Sequence, residues 1–175
     1  KNELSLSDGF VINVIFWIAL SVSGSIPFLL FGFGIVDSFF ESMSGITTTG
    51  ATVIAGLDDL PKSLLIYRQL LQWLGGMGLI VLAIAVMPLL GIGGGQLFKT
   101  QTPGPMSEQR LTPRITSTAR ALWSIYFFLT VLCIFAYRLA GMDYFDAVSH
   151  AFSTVSIGGF STHDLSIGFF DSISI

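Results

Sequence analysis

Two short stretches of this chain place glycines and hydroxyls where apolar side chains would be expected: "GITTTGATVI" at residues 45–54 and "STVSIGGFS" at residues 153–161. Neither joins a nucleophile to a base and an orienting group, so catalysis has no support and the chain is not read as an enzyme. His150 and His163 stand apart from any cysteine or paired carboxylate at metal-ligand spacing, which argues against a resident metal site. What both stretches offer is backbone. A dehydrated monovalent cation needs several oxygens at a short, even radius, and peptide carbonyls of an extended segment can supply them. Gly50 and Gly159 permit the backbone angles that aim a carbonyl into a pore. The hydroxyls of Thr47, Thr48, Thr49 and Ser156 either add oxygens or brace the segment from behind, and bracing is preferred because threonine methyls pack well against helices.

The elements that must hold these segments follow from composition. With 52% hydrophobic and 11% charged residues, the chain carries too little charge to cover a soluble globule. No charge occurs between Asp8 and Asp37 or between Arg68 and Lys99, and each interval exceeds the ~20 apolar residues that span a bilayer core. A shorter interval lies between Arg120 and Arg138. Three spanning helices are predicted, over roughly residues 10–33, 64–90 and 118–139. Lys99, Arg110, Arg114 and Arg120 face one acid, Glu108, which marks residues 91–117 as a cytoplasmic basic loop and residues 1–8 as a cytoplasmic lead-in. The opposite side is acidic, a balance that raises local cation concentration. Nothing in the sequence calls for a nucleic-acid partner; the surrounding partner is membrane lipid.

Between the first two spans, "DSFFESMSGI" reads as a short helix, with Asp37 or Ser38 as N-cap and Ser38 with Glu41 as a capping box. The β-branched "TTTGAT" then favours extended backbone. Such backbone survives at membrane depth only where it lines a wet cavity or is buried in protein. The pattern is a re-entrant pore loop, and it occurs twice. A shift of 146 − 37 = 109 residues lays "DSFFESMSGITTTGAT" over "DAVSHAFSTVSIGGFS", pairing Ser44 with Ser153, Thr47 with Ser156, Gly50 with Gly159 and Thr52 with Ser161. A shift of 105 matches the helices better but separates the glycines. Each half-helix would direct the negative end of its dipole, about half a charge, at the cavity centre, which favours cations. A neutral-solute channel, which uses helix N-termini to repel cations, fits less well.

Other residues have plainer readings. Gly75, Gly76 and Gly78 in "WLGGMG" suit close helix packing. "GIGGGQ" at residues 91–96 lacks the preceding strand of a phosphate loop. Pro27 is expected to kink the first helix, Pro88 to end the second, and Pro103 with Pro105 to break the internal loop. His150, which falls on the Glu41 position of the first pore helix, is expected to pack. Arg68 reads as snorkelling at the outer interface, with anchorage of the filter through Asp58 or Glu41 as the alternative.

The stretches "FFESMSGITTTGATVI", "RQLLQWLGGMGLIVLAIAVMPLLGIGGGQLF", "PGPMSEQRLTPRI" and "HAFSTVSIGGFSTHD" resemble the TrkH/TrkG branch of the Trk/Ktr/HKT potassium transporter superfamily along nearly the whole chain. The resemblance implies an all-α integral membrane fold of repeated helix–pore loop–helix units, potassium-channel-like. Residues 9–90 form the first repeat, with a filter at about 47–52. Residues 118–175 form the second, with a filter at about 156–161 and without its last helix. It assigns Thr48, Thr49, Gly50 and Ala51 to the first filter and Ile157, Gly158, Gly159 and Phe160 to the second, with Thr47 and Ser156 in support. Potassium, the transported ion, would meet the backbone of Thr48, Thr49, Ile157 and Gly158. No organic cofactor is implied. A homodimer of the full-length protein in the bacterial inner membrane and a nucleotide-binding regulatory subunit of the TrkA type are the implied partners. Two filters where the family has four, and no initiating Met, lead to the expectation of an interior fragment of a longer transporter. Ala51 and Ile157 depart from a threonine-and-aromatic filter pattern, so a channel of relaxed potassium/sodium selectivity is an alternative, as is a non-conducting structural subunit.

Overall fold

The computed structural model describes residues 6–86, 111–172 and 175. Among them every regular element is helical: α1 (Leu6–Leu30), α2 (Ile35–Ile46), α3 (Lys62–Val86), α4 (Leu111–Ala140) and α5 (Tyr144–Val155), with short 3-10 turns at Leu57–Asp59 and Ser166–Phe170. Three helices are long and apolar enough to cross a membrane, over Phe10–Leu30, Lys62–Val81 and Ser117–Ala140. These match the three spans expected from the charge-free intervals. The two twelve-residue helices, α2 between the first two spans and α5 after the third, are too short to span.

Helix α3 is the hub. Half of its apolar window is buried, against 17% in α1 and 11% in α4. Helix α1 packs on α2 and α4 on α5, while α3 touches both short helices. The outer faces of α1 and α4, including Phe10, Ile15, Phe16, Phe127, Phe128 and Phe135, are exposed and apolar. A buried cluster of Phe28, Ile46, Ile54, Leu57, Leu64, Leu65 and Leu71 ties α1, α2 and the following loop to α3. Burying each such side chain contributes about 1.5–3 kcal/mol relative to leaving it in water.

The glycines of α3 let the short helices in. A Cβ on Gly75 would lie 1.8 Å from the Ile46 carbonyl oxygen, and one on Gly76 would lie 2.9 Å from Ser156 Cβ. Two adjacent glycines therefore admit the C-terminal ends of α2 and α5. Gly78 is different, since the nearest neighbour, Trp17, would be 4.0 Å away. Around this contact the Trp73 indole donates to Thr130 Oγ1 at 2.9 Å, and the Tyr126 hydroxyl donates to the Trp73 carbonyl at 2.9 Å, fastening α4 to α3.

Several sequence expectations change. Helix α2 begins at Ile35 with Gly34 as N-cap and no side-chain cap, so Asp37 and Ser38 lie inside its first turns. The Ser38–Glu41 capping box does not form. Ser38 N–H donates to the Gly34 carbonyl at 2.9 Å, and the Glu41 carboxylate is taken by Arg68. In α5 the cap is Asp143, which accepts from Asp146 N–H at 2.7 Å. Asp37 and Asp146 are thus equivalent as third residues of their helices, where a negative charge suits the dipole. Helix α4 starts at Leu111, before the expected residue 118, and places Arg114 and Arg120 on the helix. Pro27 lies inside α1. Lys99 and Arg110, with Pro88, Pro103, Pro105 and "GIGGGQ", lie outside the described residues.

Candidate functional site: two converging pore loops

Both short helices end in the same way. Thr48 N–H donates to the Gly45 carbonyl and Thr49 N–H to the Ser44 carbonyl, at 3.0 and 2.9 Å; Ile157 N–H donates to Thr154 and Gly158 N–H to Ser153, at 3.0 and 2.8 Å. These are paired Schellman closures, in which the residue after the C-cap adopts the left-handed conformation that glycine usually fills. Here the residues are Thr48 (φ 55°) and Ile157 (φ 59°), both β-branched. Such a backbone costs of order 1–3 kcal/mol and persists where surrounding structure holds it, most often at functional sites. Two residues further on, Gly50 (φ 76°) and Gly159 (φ 85°) are again left-handed, while Thr49 and Gly158 are not. In a plain strand successive carbonyls alternate sides; a left-handed residue at every second position turns them toward one side. The 109-residue shift thus superposes the helix closures and both pairs of left-handed residues.

The two loops meet. A Cβ on Gly50 would lie 1.9 Å from the Gly158 carbonyl oxygen and 3.6 Å from Gly159 Cα. The contact brings Gly50, in the segment Thr48–Ala51, against Gly158 and Gly159 of the segment Ile157–Phe160. Thr47 and Ser156 have their hydroxyls turned back on their own helices. Thr47 Oγ1 donates to the Met43 carbonyl at 2.7 Å and pairs with Thr49 Oγ1, while Ser156 Oγ donates to the Phe152 carbonyl at 2.8 Å. Both hydroxyls donate to carbonyls four residues back in their own helices. The C-termini of α2 and α5 converge on Gly75 and Gly76, so two partial negative charges meet at the loops.

Behind the loops lies a polar scaffold that repeats only in part. Thr52 Oγ1 donates to the Glu41 carboxylate at 2.9 Å, and the matching pair, Ser161 Oγ and His150 Nε2, are 3.0 Å apart. Arg68 joins the two halves. Its Nη2 lies 2.7 Å from Glu41 Oε1, and both side chains are fully buried. Its Nε donates to the same oxygen at 2.7 Å, its Nη1 donates to the Ser161 carbonyl at 3.1 Å, and its Nη2 donates to Thr52 Oγ1 at 3.1 Å. The guanidinium also lies over the Phe160 ring, 4.4 Å from its centroid. Snorkelling is therefore replaced by anchorage through Glu41, the alternative reading of Arg68. Charge spacing placed Arg68 at a helix end; the two loops closing over it removed it from water.

The outer loops interlock as well. Asp164 accepts from Gly56 N–H and Leu57 N–H, both at 3.0 Å. The His163 ring is hydrogen-bonded to Asp58 through Nδ1 and lies 3.3 Å from Asp146 Oδ2 through Nε2. Its ring stacks on Phe169 at 3.5 Å. The hydrogen bond from His163 holds the Asp58 carboxyl below its usual range. Asp58 was one of two candidate partners for Arg68, and its partner is instead His163. Sequence reasoning also missed Gln72, whose Oε1 accepts from Phe160 N–H at 3.2 Å and from the Ser153 hydroxyl at 2.9 Å. Its spacing of four residues from Arg68, on the same helix face, was the available signal.

The family model of TrkH, a cation transport protein, matches residues 1–175. This chain belongs to the TrkH family. It is similar to the Trk system potassium uptake protein TrkH of Vibrio parahaemolyticus, at 58% identity over 178 residues covering 100% of this chain and 37% of that protein. It is also similar to TrkG of Escherichia coli, at 51% identity over 97% of this chain and 36% of that relative. The crystal structure of the potassium transporter TrkH from Vibrio parahaemolyticus superposes with a TM-score of 0.82 at 55% identity, over 100% of this chain and 35% of that one. The chain thus spans about 37% of the length of the curated TrkH relatives it matches. As a TrkH-family chain with three helices long and apolar enough to span, it is a multi-pass membrane protein, and its helical architecture follows that of the crystal structure.

Proposed function

We propose that this chain supplies two of the filter segments of a potassium uptake protein of the bacterial inner membrane. Potassium, the transported ion, is stripped of water by backbone carbonyls of Thr48, Thr49, Ile157 and Gly158. Gly50 and Gly159 give the segments their left-handed turns, and Ala51 and Phe160 complete them, with Thr47 and Ser156 as braces. The observation that carries this reading is the approach of Gly50 to the Gly158 carbonyl between two equivalent left-handed pairs. The names of the relatives, potassium uptake proteins, support the choice of ion. In the complete protein the partners are a second copy, a nucleotide-binding regulatory subunit of the TrkA type and membrane lipid.

The test replaces each glycine by serine in the complete protein and measures potassium against sodium uptake in liposomes. Gly50→Ser should lower the preference more than Gly159→Ser. At Gly50 a side chain meets the Gly158 carbonyl, whereas at Gly159 nothing lies within 4 Å and only the φ of 85° resists. Unchanged preference in both variants would remove the filter assignment.

A further inference from the structure

The second loop is held by a helix that belongs to the first repeat, and the first loop is not held in that way. In the first loop the Ser44 hydroxyl donates to the Ala51 carbonyl at 2.6 Å, so a pore helix grips its own extended segment. Ser153, its counterpart, donates to Gln72 Oε1 at 2.9 Å. The same oxygen accepts from Phe160 N–H at 3.2 Å. Gln72 is fully buried, and its Nε2 has no hydrogen-bond partner among the described residues. Its amide occupies the space that a side chain at residue 158 would need: a Cβ on Gly158 would lie 2.3 Å from Gln72 Cδ and 2.4 Å from Oε1.

Gly158 does not have a left-handed backbone, so conformational freedom is not what calls for glycine there. Space is. The Gly158 peptide has the Gln72 amide on one flank and Gly50 on the other, the latter against its carbonyl oxygen. One turn away on α3, Arg68 takes the Ser161 carbonyl. Residues 158–161 are therefore fixed to one face of α3 at both ends. Moving the Gln72 oxygen moves the Phe160 amide and, with it, the Gly158 carbonyl that faces the first loop.

We propose that Gln72 is a positioning residue that determines specificity: its side-chain oxygen sets the place of the second filter segment and hence the discrimination between potassium and sodium. This rests on the filter reading given above. Gln72 touches no ion and acts through Phe160 and Gly158.

The experiment uses the complete transporter in proteoliposomes, reading the potassium-to-sodium uptake ratio and the amount of protein inserted. Gln72→Met keeps the bulk and removes the acceptor of both hydrogen bonds; the ratio should fall roughly tenfold, the factor that release of the Phe160 N–H alone supports. Gln72→Glu keeps the acceptor oxygen and should stay within about twofold of the parent; a purely space-filling role predicts no difference between these two variants, since both keep the bulk. Should Gln72→Met be lost from the membrane, Gln72→Asn, which withdraws the oxygen by one methylene, reads the same fall. An unchanged ratio in Gln72→Met or Gln72→Asn, with Gly50→Ser lowering it, overturns the role of Gln72 and leaves the filter standing. Equal falls in Gln72→Met and Gln72→Glu overturn it too, as does loss of all three variants from the membrane, which assigns Gln72 to folding. If Gly50→Ser leaves the ratio unchanged, the filter reading fails and this inference falls with it.

Discussion

Replacing Arg68 by methionine removes one partner of a fully buried ion pair and should destabilise the protein severely. Both side chains are 0% exposed, so neither charge has water to fall back on. The Glu41 carboxylate would be left with the Thr52 hydroxyl at 2.9 Å and the Val53 N–H at 3.3 Å, two neutral donors for a full charge. Breaking a buried pair in this way costs about 3–5 kcal/mol, a factor of roughly 10² to 10⁴ in the folding equilibrium. The Ser161 carbonyl and the Thr52 hydroxyl oxygen each lose a donor, and Phe160 loses the cation above its ring. Removing both charges, in Arg68→Met with Glu41→Leu, leaves no orphaned ion and should recover at least half of the loss, because apolar replacement of a buried pair is often neutral. Equilibrium unfolding of the complete protein in mixed micelles, with the two single variants and the double, gives the coupling directly. Losses below about 1 kcal/mol in the single variants, or losses that simply add in the double, would refute the buried clamp.

Other consequences follow from the same geometry. Gly75→Ala forces a Cβ onto the Ile46 carbonyl and should cost about 1–3 kcal/mol or prevent assembly, while Gly78→Ala, with only Trp17 at 4.0 Å, should be tolerated; thermal midpoints in detergent distinguish them. The Asp58 carboxyl is held below its ordinary value of 3.8 by His163, so this contact stabilises the outer loops above that pH and is lost as pH falls through the lowered value. The difference in thermal midpoint between the parent and Asp58→Asn should therefore shrink on acidification, and a difference that persists unchanged at low pH would remove the contact from the account. Thr52→Val keeps the shape of the side chain but leaves Glu41 and Arg68 short of one hydroxyl, and should cost about 1–3 kcal/mol by the same unfolding assay; no change would show that the hydroxyl is not part of the clamp.

How much of this was legible in the residues depends on whether a feature is local or assembled. The three spans were readable because a bilayer imposes length and excludes charge, both visible along a single segment. The two loops were readable because the repeat keeps Gly50 and Gly159 in register and the β-branched runs oppose helix. The caps were misplaced because Ser38 and Glu41 satisfy a local pattern that a distant residue overrides: the Glu41 carboxylate goes to Arg68, on another helix. Arg68 itself looked like an interfacial cation, since nothing in its own helix says that Ser161 and Phe160 will close over it. Gln72 carried no signal beyond its place in an apolar helix, four residues from Arg68. The double glycine of α3 was read as close packing, and the approach of Ile46 and Ser156 identifies what packs there.

The central claim is that two non-helical segments from equivalent repeats face one dehydrated cation. Anomalous diffraction from crystals of the complete protein grown with thallium or rubidium tests it most directly. A peak beside the Gly158 carbonyl, flanked by backbone oxygens of residues 48–49 and 157–158, is the predicted result. Anomalous density only at side-chain carboxylates, with none between the two loops, would contradict it.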